Sequence, residues 1–412
     1  MTAPRLLLLL GQSPFDPTSG AAQSMRQMAE LLAGNGWAVR TLATSGCEGE
    51  AGPDHADLLS QAGYAVTRTA SFARPATTVL ELRSHGLAHE IIVTDARRKH
   101  AWERDVGPVY QAHLDRLRRE FRPQIALTFG DDPGDIARRE ILCRDGIRVV
   151  FALHNLAYVA RRPRHCHAFL APSRFLAERY RAAWGDAVTV LPPPLMTEGV
   201  VADVREPVFV TFFNPEPAKG LWLMARLAER LGQERPDIPL LVVEGRAPAS
   251  HVLAAGKSAG VDLSRFANLM FAPATPRVAD VWAHCRILLA PSVVEEAAGR
   301  VVLEAMANGV VPLVSNRGAL PEIVAGGGQV LSLLESYTLR SPVPLNSAVA
   351  DPWFDAVTRL VDDDAAYERC SRAARSAAEI YMPARLAPSY DSCFRAWLLD
   401  ITTPRTCGST SS

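Results

Sequence analysis

The sequence predicts an α/β protein built of two doubly wound domains. Three observations predict it. Short apolar runs recur along the chain, helix-length segments separate them, and Pro192-Pro193-Pro194 interrupts the rhythm before a second series begins. The runs are continuous rather than alternating, as in parallel strands covered on both faces.

The first series opens with Leu6–Leu10 as a buried strand. A loop from Gly11 to Ser19 leads to a helix over Gly20–Ala33, closed by Gly34-Asn35-Gly36. Strands are expected at Trp37–Ala43, Tyr64–Thr69 and Glu90–Thr94, then a polar helix from Val106 to Arg119. Further strands follow at Ile125–Phe129, Ile147–Leu153, Ala168–Leu170 and Val188–Leu191. Asp131-Asp132 precede Pro133 and read as a helix cap rather than a metal site.

The triple proline and the stretch to Glu206 read as a linker. The second series places strands at Val208–Phe213, Leu240–Val243, Leu269–Ala272, Ile287–Ala290 and Val311–Ser315. Helices are expected over Leu221–Leu231, Val278–His284 and Val301–Ala307, with another opened by Pro321. Two Rossmann-like domains result, 1–196 and 207–380, joined by a linker at 197–206. Helices near Pro352–Val361, Asp364–Tyr381 and Ser389–Leu398 follow, and the small polar residues 402–412 read as a disordered tail.

At 412 residues the chain is too long for one ordinary core. Lys plus Arg and Asp plus Glu balance at 44 each, so no global field favours nucleic acid. Basic clusters at Arg97-Arg98-Lys99 and Arg161-Arg162-Pro163-Arg164 read as a solvated face, or as a weak peripheral contact with anionic lipid. Seven scattered cysteines without a C-x-x-C pattern suit reduced thiols in the cytoplasm. His165-Cys166-His167 has poor metal spacing, since neighbours on a strand face opposite ways, so no metal is expected. The leucine run near the N-terminus is too short for a secretory core, and no apolar stretch is long enough to span a membrane.

Three patches fall at strand C-terminal ends, where open parallel sheets bind ligands. Ser19-Gly20-Ala21-Ala22 lets backbone approach a ligand closely, or simply caps a helix. Lys219-Gly220 puts a cation at a helix entrance, where it opposes the dipole unless an anion is present. The third patch, Pro291 to Val324, holds Glu296 and Glu304 around Gly299. There the amides of Arg300, Val301 and Val302 suit a phosphate. The two carboxylates suit hydroxyl-rich partners, because a carboxylate only accepts hydrogen bonds. Glu304, one turn into an apolar helix, is costly to bury without a role, so it is assigned to a ribose diol. A ligand anionic in the middle and polyhydroxylated at both ends is a nucleotide sugar.

The run P-S-V-V-E-E-A-A-G-R-V-V-L-E-A-M-A-N-G-V-V-P-L-V-S with G-A-L-P-E-I-V resembles glycosyltransferase family 4, retaining nucleotide-sugar transferases of GT-B fold. Lys219-Gly220 is similar to that family's phosphate-binding lysine segment, and Ser19–Ala22 to its glycine loop. His154 falls where the family often places a histidine facing the donor sugar, and Ala171–Phe175 is similar to the segment before its hinge. The resemblance covers Leu6 to about Tyr381, specifically in the second domain and loosely in the first.

The resemblance implies two domains across a cleft, with residues 381–401 returning to the first. It implies a metal-independent, retaining hexosyl transfer from a UDP- or GDP-sugar, with no other cofactor. Glu296, His154 and Lys219 would be catalytic. Gly20, Asn214, Lys219, Gly299, Arg300, Val301, Val302 and Glu304 would bind the donor. Two positions depart from the pattern: Asn214 stands where the family has an arginine, and Ala298 where it has an aromatic. Arg300 or Arg246 would then supply the missing charge. The acceptor, a glycan, lipid-linked saccharide, small molecule or protein, would be read by loops such as Ala70–Ser84 and Asp95–Gly107. The rival readings are a catalytically degenerate GT-B partner subunit and a nucleotide-sugar epimerase. The sequence leaves oligomeric state open.

Overall fold

The computed structural model describes residues 3–47, 54–96, 101–275, 277–341, 343 and 345–399. The chain divides into two compact units, the first formed by Met1–Pro194 with Pro383–Ser412 and the second by Leu195–Met382.

The first unit is built on a nine-stranded sheet. In chain order its strands are β1 Arg5–Leu9, β2 Ala38–Thr44, β3 Thr67–Ala70, β4 Thr78–Ser84, β5 Leu87–Ile92, β6 Ile125–Thr128, β7 Arg148–Ala152, β8 Ala168–Ala171 and β9 Thr189–Val190. Their spatial order is β3-β4-β5-β2-β1-β6-β7-β8-β9. All pairs are parallel except β3·β4 and β4·β5. Leu6, Leu7 and Leu8 are fully buried, as a central strand between two helical layers requires. Ser19 caps the helix Gly20–Gly34 by accepting the Ala22 amide, and Asp132 caps Pro133–Arg144 with proline in its first turn.

The region 70–84, expected as a loop, contains β4. Its Val79, Leu80 and Leu82 are buried, while Glu81 and Arg83 are exposed. Likewise 102–107 begins the long helix Trp102–Glu120. Arg97-Arg98-Lys99 and the tail 402–412 lie outside the described residues. Arg161 and Arg162 pair with Asp131 and Asp186, at 3.0 and 2.9 Å, which lowers the charge that cluster offers to a lipid.

The helix Pro383–Leu399 belongs to the first unit. Its Tyr390 and Phe394 are fully buried in the first unit's core. Tyr390 donates to the Pro192 carbonyl (2.9 Å), and Trp37 Nε1 donates to Asp391 Oδ1 (2.8 Å).

One buried and one partly buried imidazole tie the first unit's stability to pH. His89 meets Ser84 Oγ at 2.8 Å and His55 meets Ser13 Oγ at 2.9 Å. Burial pushes His89 down to about 3 and His55 to about 4, from 6.5. Both rings are neutral in the fold, so the unfolded chain takes up protons first as pH falls. Their contribution is intact above pH 6.5 and is lost as pH drops through 4 and then 3. Thermal unfolding followed from neutral to acid pH is expected to show a loss of several kcal/mol, on the order of 1.4 kcal/mol per pH unit for each ring. His89→Gln should flatten that slope, and an unaltered slope would reject the assignment.

The second unit has β10 Phe209–Phe213, β11 Leu240–Val243, β12 Leu269–Ala272, β13 Cys285–Ala290, β14 Val311–Ser315 and β15 Gln329–Leu331. They form an all-parallel sheet in the order β12-β11-β10-β13-β14-β15. Counted within the unit this is 3-2-1-4-5-6, the order of dinucleotide-binding folds. The order in which strands are added reverses between β10 and β13, so the loops leaving these two strands frame a crevice. The stretch 197–206, expected as a linker, is packed into this unit. The Ala202 amide donates to Asn308 Oδ1 (2.9 Å), and Arg205 donates to the carbonyl of Cys285.

Candidate nucleotide-sugar site

The loops after β10 and β13 are bound to each other by backbone. The Val293 amide donates to the Ala218 carbonyl at 3.1 Å. Gly220, at φ +94°, lies so close to the exit of β13 that a Cβ there would fall 2.2 Å from the Pro291 carbonyl oxygen. A side chain at Gly220 would push the loops apart. Between them, the short turn Pro217–Lys219 delivers its lysine to the mouth of the crevice.

Lys219 Nζ donates to Glu296 Oε1 at 2.6 Å. The sequence separates these residues widely, and the adjacency of β10 and β13 brings them together. Ser292 Oγ donates to the same Oε1, also at 2.6 Å. Ser292 is 3% exposed, and its own carbonyl accepts from Ser315 Oγ at the end of β14 (2.6 Å). The backbone of Glu296 is fixed separately, since its carbonyl accepts the Ala319 amide at 2.8 Å. Neither Ser292 nor Ser315 was singled out from the sequence, although Ser292 stands in the same P-S-x-x-E run as the carboxylate it holds.

Gly299 adopts a left-handed conformation, φ +59° and ψ +52°, immediately before the helix Arg300–Ala307. The Val302 amide turns back to the Gly299 carbonyl at 2.9 Å, so of the three amides assigned to phosphate this one already has an internal acceptor. Arg300 Nε donates to Glu304 Oε1 at 2.8 Å, with both side chains largely buried. Glu304 is therefore compensated within its own helix, and the argument from the cost of an unpaired buried carboxylate does not hold. The diol role then rests on the residue's place in the helix Arg300–Ala307.

Asn214 leaves β10 at φ +56°. Its Nδ2 donates to Glu216 Oε2 (3.0 Å), and its Oδ1 accepts the Ala247 amide (3.1 Å). Arg246, on the loop after β11, meets the same Glu216 oxygen at 3.2 Å. Asn214 thus shapes the loop and brings a guanidinium beside it from the neighbouring strand.

Gly20 and His154 lie in the first unit. Gly20 begins the helix after β1, and its carbonyl accepts from Ser24 Oγ (2.7 Å). Gln12 Nε2 donates to the capping Ser19 Oγ (2.7 Å). His154 follows β7, with its ring edge-on to Phe129 at 5.3 Å between centroids. His167 Nδ1 accepts the Val149 amide (2.9 Å), a structural bond within the His165-Cys166-His167 triplet.

Residues 206–362 match the family model described as glycosyl transferases group 1. Over nearly its whole length the chain is similar to solved glycosyltransferase structures. Sucrose-phosphate synthase from Thermosynechococcus elongatus is 15% identical with a TM-score of 0.66, the match covering 96% of this chain and 99% of that one. Anabaena HepE, solved in complex with UDP and glucose, is 13% identical with a TM-score of 0.63, covering 96% and 99%. The catalytic domain of starch synthase IV from Arabidopsis thaliana, bound to ADP and acarbose, is 11% identical with a TM-score of 0.68, covering 97% and 100%. No curated protein matches the chain in sequence. The fold is GT-B, and the stretch of the second unit from 206 to 362 is the part that matches the group 1 glycosyl transferase model.

Proposed function

We propose that the protein is a retaining, family 4 glycosyltransferase that moves a hexose-type sugar from a UDP- or GDP-sugar to a hydroxyl acceptor. The observation that carries this reading is the meeting of Lys219 and Glu296 at the mouth of the β10/β13 crevice. A cation and a carboxylate there match the two parts of a sugar diphosphate. Lys219 meets the charge that develops on the leaving diphosphate, the usual largest electrostatic contribution. Glu296 accepts hydrogen bonds from sugar hydroxyls and favours the positive charge that builds at the anomeric carbon. The bond from that carbon to the diphosphate breaks, the acceptor oxygen bonds to the same face, and the acceptor proton passes to the departing phosphate oxygen. Gly299 and the helix start behind it lie against the diphosphate, and Glu304 against the ribose. Lys219 with Arg246 or Arg300 supplies the positive charge, so the reading includes no metal or other cofactor. The six described cysteines are all unbridged, which suits a cytoplasmic setting.

The degenerate-subunit reading is favoured by one observation: the amide of Asn214 is bonded to Glu216 in its own loop and to Ala247 in the next, where a cation would otherwise face the donor. Thermal unfolding against UDP-, GDP-, ADP- and TDP-linked glucose separates the readings from a protein without a donor site. A ligand at about one hundred times its dissociation constant adds roughly 2.7 kcal/mol. One nucleotide is expected to raise the melting temperature, and Glu304→Ala to abolish the shift. No shift with any of them would remove the donor site, and a shift without sugar release would favour the degenerate subunit.

A further inference from the structure

We propose that Ser292 is the positioning residue that holds the Glu296 carboxylate in register once Lys219 turns from it to a diphosphate; this rests on the donor-site reading above. In the structure Glu296 Oε1 has two donors, Lys219 Nζ and Ser292 Oγ, each at 2.6 Å. They differ in freedom. Lysine is a point charge on a flexible four-carbon stem, and this one has a side chain 30% exposed. A diphosphate in the crevice carries more charge than one carboxylate and competes for the same ammonium.

Ser292 has no such freedom. Its side chain is one atom beyond Cβ, it is 3% exposed, and Ser315 Oγ clamps its carbonyl at 2.6 Å. When Lys219 shifts, the serine bond remains and continues to engage Oε1. Oε2 is then the oxygen presented to a sugar hydroxyl, in an orientation that does not depend on where the lysine has gone. The Ala319 amide, bound to the Glu296 carbonyl at 2.8 Å, fixes the other end of the residue. The sugar and diphosphate are thereby read by separate devices: a mobile cation for one, and a carboxylate locked by a buried hydroxyl for the other.

The test compares, by calorimetry, affinity for the sugar nucleotide that binds in the glucose panel with affinity for its free nucleoside diphosphate. Ser292→Ala is expected to weaken binding of the sugar nucleotide by about 10- to 100-fold, the loss of one hydrogen bond to a charged group. Affinity for the nucleoside diphosphate should stay within about twofold, and Ser292→Thr, which keeps the hydroxyl, should recover most of the loss. In a Glu296→Ala background, Ser292→Ala should have no further effect, since the serine acts only through that carboxylate. An equal loss for both ligands, an equal loss in the Glu296→Ala background, or no loss at all would overturn the inference while leaving the donor site standing. Failure of wild type to bind any of the sugar nucleotides or nucleoside diphosphates would overturn the donor-site reading and the inference with it.

Discussion

Replacing Lys219 with alanine is expected to lower kcat/KM for the sugar nucleotide by about 10²- to 10³-fold, the scale of removing a group aimed at developing charge. The substitution takes away a cation between the loops after β10 and β13, and it also takes one of the two donors from Glu296 Oε1. Both losses fall on the proposed donor site, and neither touches the apolar core, so the melting temperature should change little. Lys219→Arg is expected to recover only part of the rate. Its planar fork has a different reach and cannot reproduce a point charge on the turn Pro217–Lys219. Steady-state rates of nucleoside diphosphate release, with water as the acceptor of the sugar, supply the measurement. Turnover unchanged in Lys219→Ala would remove the lysine from the machinery.

Gly318→Ala should damage stability and site together. Gly318 sits at φ +62°, and a Cβ there would come within 2.3 Å of the Glu296 carbonyl oxygen and 2.4 Å of its amide nitrogen. The obstacle is backbone, so no side chain can swing aside. Overpacking costs about 1–3 kcal/mol and a left-handed non-glycine residue about 1–2 kcal/mol more. For a unit of this size that corresponds to a fall in melting temperature of roughly 5–15 °C. The same displacement moves the backbone of Glu296, so sugar-nucleotide affinity should fall in the folded variant at low temperature. Calorimetry of unfolding and of binding checks both halves. A variant that melts and binds like wild type would show that the 316–319 turn does not support the carboxylate.

Much of the fold was legible because parallel strands buried on both faces advertise themselves as continuous apolar runs. Leu240–Val243, Leu269–Ala272 and Val311–Ser315 occupy the limits read from the sequence. The antiparallel strand β4 is hard to read because only Leu80 and Leu82 alternate with Glu81 and Arg83, in a segment that otherwise looks like a loop. Residues 197–206 read as a linker because scattered acids follow the triple proline, but backbone bonds, the buried Val200 and Arg205 pack them into the unit.

At the candidate site, residue types and their places at strand ends were readable, whereas their partners were not. That Lys219 meets Glu296 follows from β10 lying beside β13, a topological fact. The pairing of Glu304 with Arg300 is encoded in their i,i+4 spacing, a signal that the cost of burying a carboxylate alone does not carry. Ser292 escaped notice because a serine after a strand is ordinary until its hydroxyl is seen on a carboxylate.

The division of the chain also orders events during synthesis. The second unit is one unbroken segment, Leu195–Met382, whereas the first unit needs residues from both sides of it. Tyr390 and Phe394, buried in the first unit's core, are translated after the whole of the second. A nascent chain leaving the ribosome therefore has every residue of its later unit before its earlier one can close. Until then the surface that receives Pro383–Leu399 stays uncovered, a stage at which a chaperone would find its clearest target.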